Sequence, residues 1–284
     1  MTPPALSPWR PLAHSWEGWA FCLLLAGVVP FHGVFAYGRL KSGPDPVPTA
    51  TKLRLYATIV VMEWALVVLA LAIAFRHGLG PADLGQGLAN GRITLATTAL
   101  GFLALLILTI FNARQIRHAG REELEATVQR ARKFVPVGRT EIAAFAVVSL
   151  TAGICEELLY RGWLIHFFGV LLGSIWAGMV VAAIFFGLGH AYQGRNGIAA
   201  TGVLGLVFGT MFVLVRSLVP GQVLHAAIDL VNGTLAGGIV KGLGTEPPAG
   251  PAPTAGQEQR GADPESPPRQ DPTSEQSSVS DPPA

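Results

Sequence analysis

Three groups of ionisable residues interrupt the apolar second half of this 284-residue chain. They are Glu156, Glu157 and Arg161, then His190, then His225 and Asp229. An ionisable side chain at the centre of a bilayer costs about 3 kcal/mol on insertion scales, so such residues usually mark functional sites. Peptide hydrolysis needs a base that takes a proton from water and donors that stabilise the developing oxyanion. The three groups contain residue types suited to both tasks, within segments apolar enough for a membrane.

Spacing predicts which residues share a helix face. Glu157 and Arg161 are four residues apart, with the acid on the N-terminal side, the better arrangement for an ion pair. Because intramembrane charges usually pair, we interpret them as a structural ion pair. His225 and Asp229 are also four apart and should emerge from one face of another helix.

The position of the turn between two helices predicts that Glu156 and His190 lie close together. Both are equally distant in sequence from Gly173, where the helices are expected to reverse direction. Since each helix rises about 1.5 Å per residue, an antiparallel pair would bring the two side chains to similar depth. His225 comes early in its helix, so matching its depth requires a tilted helix or a preceding helix that does not cross fully.

Composition indicates the elements that hold these residues. Half of the chain is hydrophobic and only 13% is charged, whereas a soluble domain carries about a quarter charged residues. Seven apolar segments are each near the length that crosses a bilayer, and their lack of alternation predicts helices. The segments are 18–37, 55–75, 93–111, 141–172, 174–191, 197–216 and 221–240. We therefore predict an all-α polytopic bundle of about seven spans, in which the fourth segment breaks near Gly162 or runs tilted.

Basic residues in the connections predict the orientation. The first connection carries four between Arg39 and Arg54, and the third carries seven between Arg114 and Arg139. The positive-inside rule places both connections in the cytoplasm, which leaves the C-terminal end in the cytoplasm as well. We expect a multi-pass protein of a bacterial inner (plasma) membrane.

The same segments predict four regions. They are an N-terminal three-helix membrane region at 1–111, a basic cytoplasmic linker helix at 112–139, a catalytic membrane domain at 140–243 and a tail at 244–284. The tail is rich in Pro, Gly and Ser and has almost no large apolar residue. It cannot bury enough surface to offset its ordering entropy, so we predict that it is disordered.

The order EExxxR, FxxxH and HxxxD in a hydrophobic C-terminal half resembles the CPBP family of intramembrane peptidases. That family includes the type II CAAX prenyl proteases and the bacteriocin-processing proteins, and the resemblance covers about residues 140–240. It implies an endopeptidase that acts on a membrane-associated peptide or protein. Phe186, which opens the second motif, is interpreted as a packing residue beside the site.

The resemblance also implies roles for individual residues. Glu156 would be the general base that activates water with the help of His190. His225 and Asp229 would hold the oxyanion, with Glu157 and Arg161 in support. The family often has asparagine where this chain has Asp229, and an ionised carboxylate cannot donate the hydrogen bond that an amide donates. This departure favours a role for Asp229 in orienting His225 or in binding a metal.

Three alternatives use the same residues. Glu156, His190, His225 and Asp229 are all ligands that zinc accepts, so a zinc metalloprotease ranks second, although the chain has no HExxH motif. Cys155 could be a nucleophile, but it points about 100° away from Glu156 on a helix. A transporter or other non-enzymatic membrane protein could use such residues as a proton relay.

Further partners and residues complete the prediction. The bilayer is the expected environment, and the near-neutral net charge of +2 argues against a nucleic-acid partner. No cofactor is needed for the peptidase interpretation. Glu63 and His166 also lie in apolar segments but have no partner at helical spacing, so both are interpreted as structural.

Overall fold

The computed structural model describes residues 6–88, 90–128 and 132–245. All regular structure in these residues is helical, which confirms the all-α prediction. A 3₁₀ turn at Ser7–Trp9 and a one-turn helix at Arg10–Ala13 come before the long helices. The predicted disordered tail lies outside the described residues, and the four predicted region boundaries stay predictions.

Eight helices follow. They are α1 (Trp16–Ser42), α2 (Thr49–Arg76), α3 (Gly91–His118), α4 (Arg121–Val128), α5 (Arg139–Leu172), α6 (Ile175–Gly189), α7 (Arg195–Val215) and α8 (Val219–Thr245). Six of them are long and apolar enough to cross a membrane, and α6 is a shorter apolar helix of 15 residues. At about 1.5 Å per residue, α6 is shorter than a hydrocarbon core of about 30 Å. The protein is therefore a polytopic helical membrane protein.

Helix α5 continues through the predicted break at Gly162. Residues Glu157–Leu164 form π-helical turns, and the α-helix resumes at Ile165. A π-helical segment widens the helix locally and is frequent at functional sites. Gly173 then ends α5 with a left-handed φ of 68°, and the Ser174 side chain accepts a hydrogen bond from the backbone N–H of Ala177 at the start of α6.

The main hydrophobic core surrounds the π-helical part of α5. Trp163 is fully buried, and its ring contacts the ring of Trp9 edge-on at a centroid distance of 5.7 Å. The ring of His166 stacks on the other side of Trp9 at 4.8 Å, and its Nδ1 bonds the carbonyl of Gly162 at 2.8 Å. The segment that precedes α1 is thus packed against the centre of the bundle, and His166 has the structural role predicted for it.

The connections meet at two opposite ends of the bundle. Lys133, from the third connection, donates hydrogen bonds to the carbonyls of Lys41 and Gly43 in the first. This contact confirms that the two basic connections share a side. At the other end, Ser217 and Leu218 between α7 and α8 bond backbone carbonyls of the α2–α3 connection.

The turn between α7 and α8 is buried beneath the α2–α3 connection. Leu218 is 1% exposed, and its N–H donates to the carbonyl of Gly85 at 3.0 Å. Helix α8 consequently begins inside the protein rather than at its surface. This arrangement explains how His225, only six residues after the start of α8, reaches the level of the acids on α5.

Candidate active site

Glu157 contacts two other polar side chains at the centre of the candidate site. Its Oε1 lies 2.9 Å from Nη1 of Arg161 and accepts a hydrogen bond of 3.0 Å from Nδ1 of His225. The side chains of Glu157, Arg161 and His225 are all at least 96% buried. The ion pair predicted from spacing is present, and the contact with His225 extends it to a neighbouring helix.

Two aromatic rings complete the surroundings of Arg161. The guanidinium carbon lies 4.3 Å from the ring centroid of Phe186 and 5.5 Å from that of Phe208. A cation over an aromatic face is attracted by the ring quadrupole, most strongly where water is excluded. Phe186 therefore packs as the sequence predicted and also helps to hold the buried charge.

The second ring nitrogen of His225 faces two further acids. Its Nε2 lies 3.6 Å from Oε2 of Glu156 and 3.7 Å from Oδ2 of Asp229. Because a carboxylate oxygen can only accept, the bond to Glu157 requires a proton on Nδ1 and fixes the ring plane. The orientation of Nε2 toward Glu156 and Asp229 thus depends on Glu157.

His190 ends α6 and is oriented by its own helix. Its Nδ1 donates to the carbonyl of Phe186 at 2.9 Å, one turn earlier, and its ring lies 4.8 Å from the Phe186 ring. Since a carbonyl can only accept, Nδ1 carries the proton. In the neutral ring, Nε2 is then left with a lone pair as a proton or hydrogen-bond acceptor.

Glu156 and His190 line the same cavity, as their depth match predicted. The cavity has a volume of about 180 Å³ and lies among α1, α2, α5 and the end of α6. Tyr160 and Tyr192 add hydroxyl groups to the cavity lining. The residues of α1 and α2 that line the cavity are mostly apolar. One carboxylate oxygen of Glu156, Oε2, is buried without a hydrogen-bond partner within the described residues. Glu156 thus brings a carboxylate to a cavity whose walls are largely apolar.

Two glycines allow α5 and α8 to approach closely enough to form this cluster. A Cβ at Gly221 would lie 2.7 Å from Oε2 of Glu157. A Cβ at Gly153 would lie 2.6 Å from the carbonyl of Gln222 and 2.8 Å from Ala226. Close contact through small residues is the usual basis of helix packing in membranes. These positions set the separation between the acids of α5 and His225.

Residues 138–231 match the family model described as type II CAAX prenyl endopeptidase Rce1-like. In this region the chain is similar to the CPBP-family peptidases. The match indicates that the protein is a protease, a hydrolase, and it confirms the resemblance drawn from the three motifs. No curated protein and no solved structure matches the chain.

Helix α2 adds an acid that the CPBP-family region does not contain. Glu63 is 8% exposed and lines the same cavity as Glu156 and His190. The sequence analysis interpreted it as structural because no partner lay at helical spacing. A single acid in a long apolar helix was the signal available, since such residues are functional by default.

The sequence offered two alternative catalytic groups, Cys155 and a metal ion. Cys155 is completely buried and is not among the residues that line the cavity, in agreement with its predicted divergence from Glu156. Among residues 6–88, 90–128 and 132–245, no group of three or more His, Cys, Asp or Glu is arranged to hold a metal ion.

Proposed function

We propose that the protein is an intramembrane endopeptidase that hydrolyses a peptide bond of a membrane-associated protein or peptide with water activated by Glu156 and His190. The observation that carries the proposal is that both residues line one cavity whose other walls are largely apolar. A carboxylate in such a space is less solvated than in water and is available to accept a proton. A substrate that filled this cavity would displace bulk water from the reacting bond.

In this mechanism Glu156 takes a proton from the attacking water. Its unpartnered Oε2 provides the acceptor, and Nε2 of His190 provides a second acceptor that can orient the other water hydrogen. Geometric placement of the nucleophile contributes as much as basicity, because a correctly oriented water pays no further orientational cost. The water oxygen then bonds to the carbonyl carbon and produces a tetrahedral oxyanion.

His225 is proposed to stabilise that oxyanion. The Glu157 carboxylate holds Nδ1, so Nε2–H of the imidazolium can point at the developing negative charge. Asp229 lies 3.7 Å from Nε2 and has a side chain that is 36% exposed. We assign Asp229 the role of orienting the His225 ring. It serves as a second hydrogen-bond donor only where it carries a proton.

The substrate is proposed to enter with an apolar group against α1 and α2. Leu25, Val29 and Leu66 contribute to that wall, which would accommodate a lipid chain or an apolar peptide segment. The description of the matched family names CAAX prenyl substrates. A peptide with a farnesylated cysteine and three following residues is therefore the first probe, with a leader peptide as the second.

The side of the membrane is also a proposal. Lys133 and its contacts put the first and third connections at one end, where Arg121 also bonds the carbonyl of Leu243 near the end of α8. The basic charge at this end favours the cytoplasm, and a bacterial plasma membrane is the proposed location. A reporter fused after Leu243 that is active only in the periplasm should give no signal, and a periplasmic signal would reverse the orientation.

The test uses the purified full-length protein in lipid and the two probe peptides. Glu156→Gln keeps the side-chain volume but cannot take a proton, so cleavage should fall by about 100-fold or more. Glu122→Gln on α4, an exposed acid outside the cavity, is the matched control and should cleave like the parent. A Glu156→Gln protein that cleaves near the parental rate would remove Glu156 as the base. Cleavage lost in strong chelator and restored by zinc would favour the metalloprotease instead.

A further inference from the structure

Glu63 is a buried acid that the proposed mechanism does not use. It is the only acidic residue of α2, and it is 8% exposed. Its Oε2 is buried and has no hydrogen-bond partner in the part of the chain that the structure describes. An ionised carboxylate oxygen at this buried position would be costly, because no donor among the described residues compensates its charge.

Glu63 and Glu156 come from different helices and face one cavity. The charges of Glu156 and Asp229 lie within electrostatic range of Glu63. Like charges in a shared site resist simultaneous ionisation, so one carboxyl of such a pair keeps its proton. Glu156 has His225 nearby at 3.6 Å, whereas Glu63 has no comparable cation among the described contacts. Of the two, Glu63 is the carboxyl suited to carry the proton.

Peptide hydrolysis requires a proton donor as well as a base. The nitrogen of a peptide bond is a poor leaving group unless it takes up a proton as the bond breaks. Two carboxyl groups with different surroundings commonly divide the acid and base roles in enzymes. The two acids of this cavity meet that description.

We propose that Glu63 is a second catalytic carboxyl group that donates a proton to the leaving amine. The inference rests on the proposed endopeptidase function. Water bonds to the carbonyl carbon while Glu156 takes one of its protons. The oxyanion then reforms the carbonyl, the C–N bond breaks and the nitrogen takes the proton of Glu63. Glu156 is left protonated and Glu63 ionised, so one proton transfer between them restores the starting state.

The two histidines and Glu157 are committed to other contacts. Nδ1 of His190 donates to the Phe186 carbonyl, which leaves Nε2 as an acceptor in the neutral ring. Glu157 is held by Arg161 and by His225, whose own Nε2 serves the oxyanion in the proposed mechanism. Glu63 has none of these commitments and reaches the cavity from a different helix, α2.

A leaving-group experiment separates proton donation from binding. The farnesylated probe is made in two forms, one with the normal amide and one with sulfur in place of the leaving nitrogen. A thiol has a pKa of about 8.5, so the sulfur can leave as a thiolate and needs no proton donor. We expect Glu63→Gln to lower amide cleavage by about 100-fold or more and thioester cleavage by less than about 10-fold.

Glu156→Gln is the matched comparison, because both probes need activated water and both rates should fall. Equal losses on the two probes in Glu63→Gln would show that Glu63 binds or positions the substrate and would overturn the proposal. An unaffected amide rate would do the same. If the parent cleaves neither probe, the proposed function fails on these substrates, and the second measurement still decides about Glu63.

The second measurement detects the proton without turnover. Infrared difference spectra between the parent and Glu63→Gln, both in lipid at neutral pH, should contain the carbonyl stretch of a protonated carboxyl group. The absence of that band would mean that Glu63 is ionised at rest and would overturn the donor role. Circular dichroism melting of the same two samples checks that the isosteric change leaves the fold intact.

Discussion

Helix α5 of the CPBP-family region and helix α3 of the N-terminal region differ most in burial among the six candidate membrane spans. In an 18-residue window of α5, 56% of the residues are buried, against 6% in the corresponding window of α3. Large apolar side chains of α3, such as Leu95 and Ile107, are exposed and suited to contact lipid. The catalytic candidates concentrate where a helix is surrounded by other helices, because only there can several charges be paired.

The candidate site is nevertheless not confined to the CPBP-family region. α2 buries Lys52 and Glu63, one at each of two places where it touches the peptidase region. Lys52 forms an ion pair with Glu141 at the start of α5, and Glu63 lines the cavity with Glu156. Helix α2 thus contributes to the candidate site a residue that the family match does not cover.

Arg161→Ala should produce the largest loss of stability. It leaves Glu157, whose side chain is 1% exposed, with His225 but without the Arg161 guanidinium, and it removes the cation between Phe186 and Phe208. Breaking a buried pair from one side typically costs about 3–5 kcal/mol. Thermal melting in lipid should therefore show a lower midpoint together with poor accumulation. A variant as stable as the parent would refute the structural ion pair.

Lys52→Met tests the coupling between the two regions and should cost less. Nζ of Lys52 donates to Glu141 at 3.0 Å and to the carbonyl of Val135 at 2.9 Å. Glu141 keeps its bonds from Thr49 and from the backbone of Val137, so we expect a loss of about 1–3 kcal/mol. The free energy of unfolding is the measurement, and Arg54→Met, an exposed cation on α2, is the control. Equal losses of unfolding free energy in the two variants would show that the Lys52 contacts do not specifically couple α2 to α5.

Patterns within one helix were predicted well from the sequence. The spacing of Glu157 and Arg161 predicted their ion pair, and the position of Gly173 predicted the shared level of Glu156 and His190. Both predictions follow from helix geometry alone, since a helix fixes which side chains share a face and how far each lies from a turn. The sequence therefore predicted contacts within single helices and the pairing of α5 with α6.

Contacts between distant helices were not predictable in the same way. The bond from His225 to Glu157 and the position of Glu63 both depend on how α8 and α2 pack against α5. That packing depends on Gly153 and Gly221 and on π-helical turns in α5, none of which alters hydrophobic periodicity. A partner four residues away can be read from a sequence, whereas a partner on another helix requires the fold.

Gly221→Ala should affect activity more than stability. The new Cβ would lie 2.7 Å from Oε2 of Glu157, so this carboxylate must shift and His225 with it. We expect a stability cost of about 1–3 kcal/mol and a fall in kcat of about 10-fold or more. Gly238→Ala is the control on the same helix, because its Cβ meets nothing within 4 Å. Unchanged kcat in Gly221→Ala would show that the close approach is not needed for alignment.

Asp229→Asn should have the smallest effect and separates three roles of this side chain. An amide cannot replace the carboxylate charge 3.7 Å from Nε2 of His225, but it can accept from the ring and donate to an oxyanion. If Asp229 orients His225 or donates as a protonated acid, Asn should retain cleavage within about 10-fold of the parent and Ala should lose about 100-fold. If Asp229 is a zinc ligand, Asn should be nearly as damaging as Ala, because an amide is a much poorer ligand for zinc. Cleavage of the farnesylated probe at matched protein amounts gives the ranking, and an Asn variant as inactive as the Ala variant would exclude the first two roles.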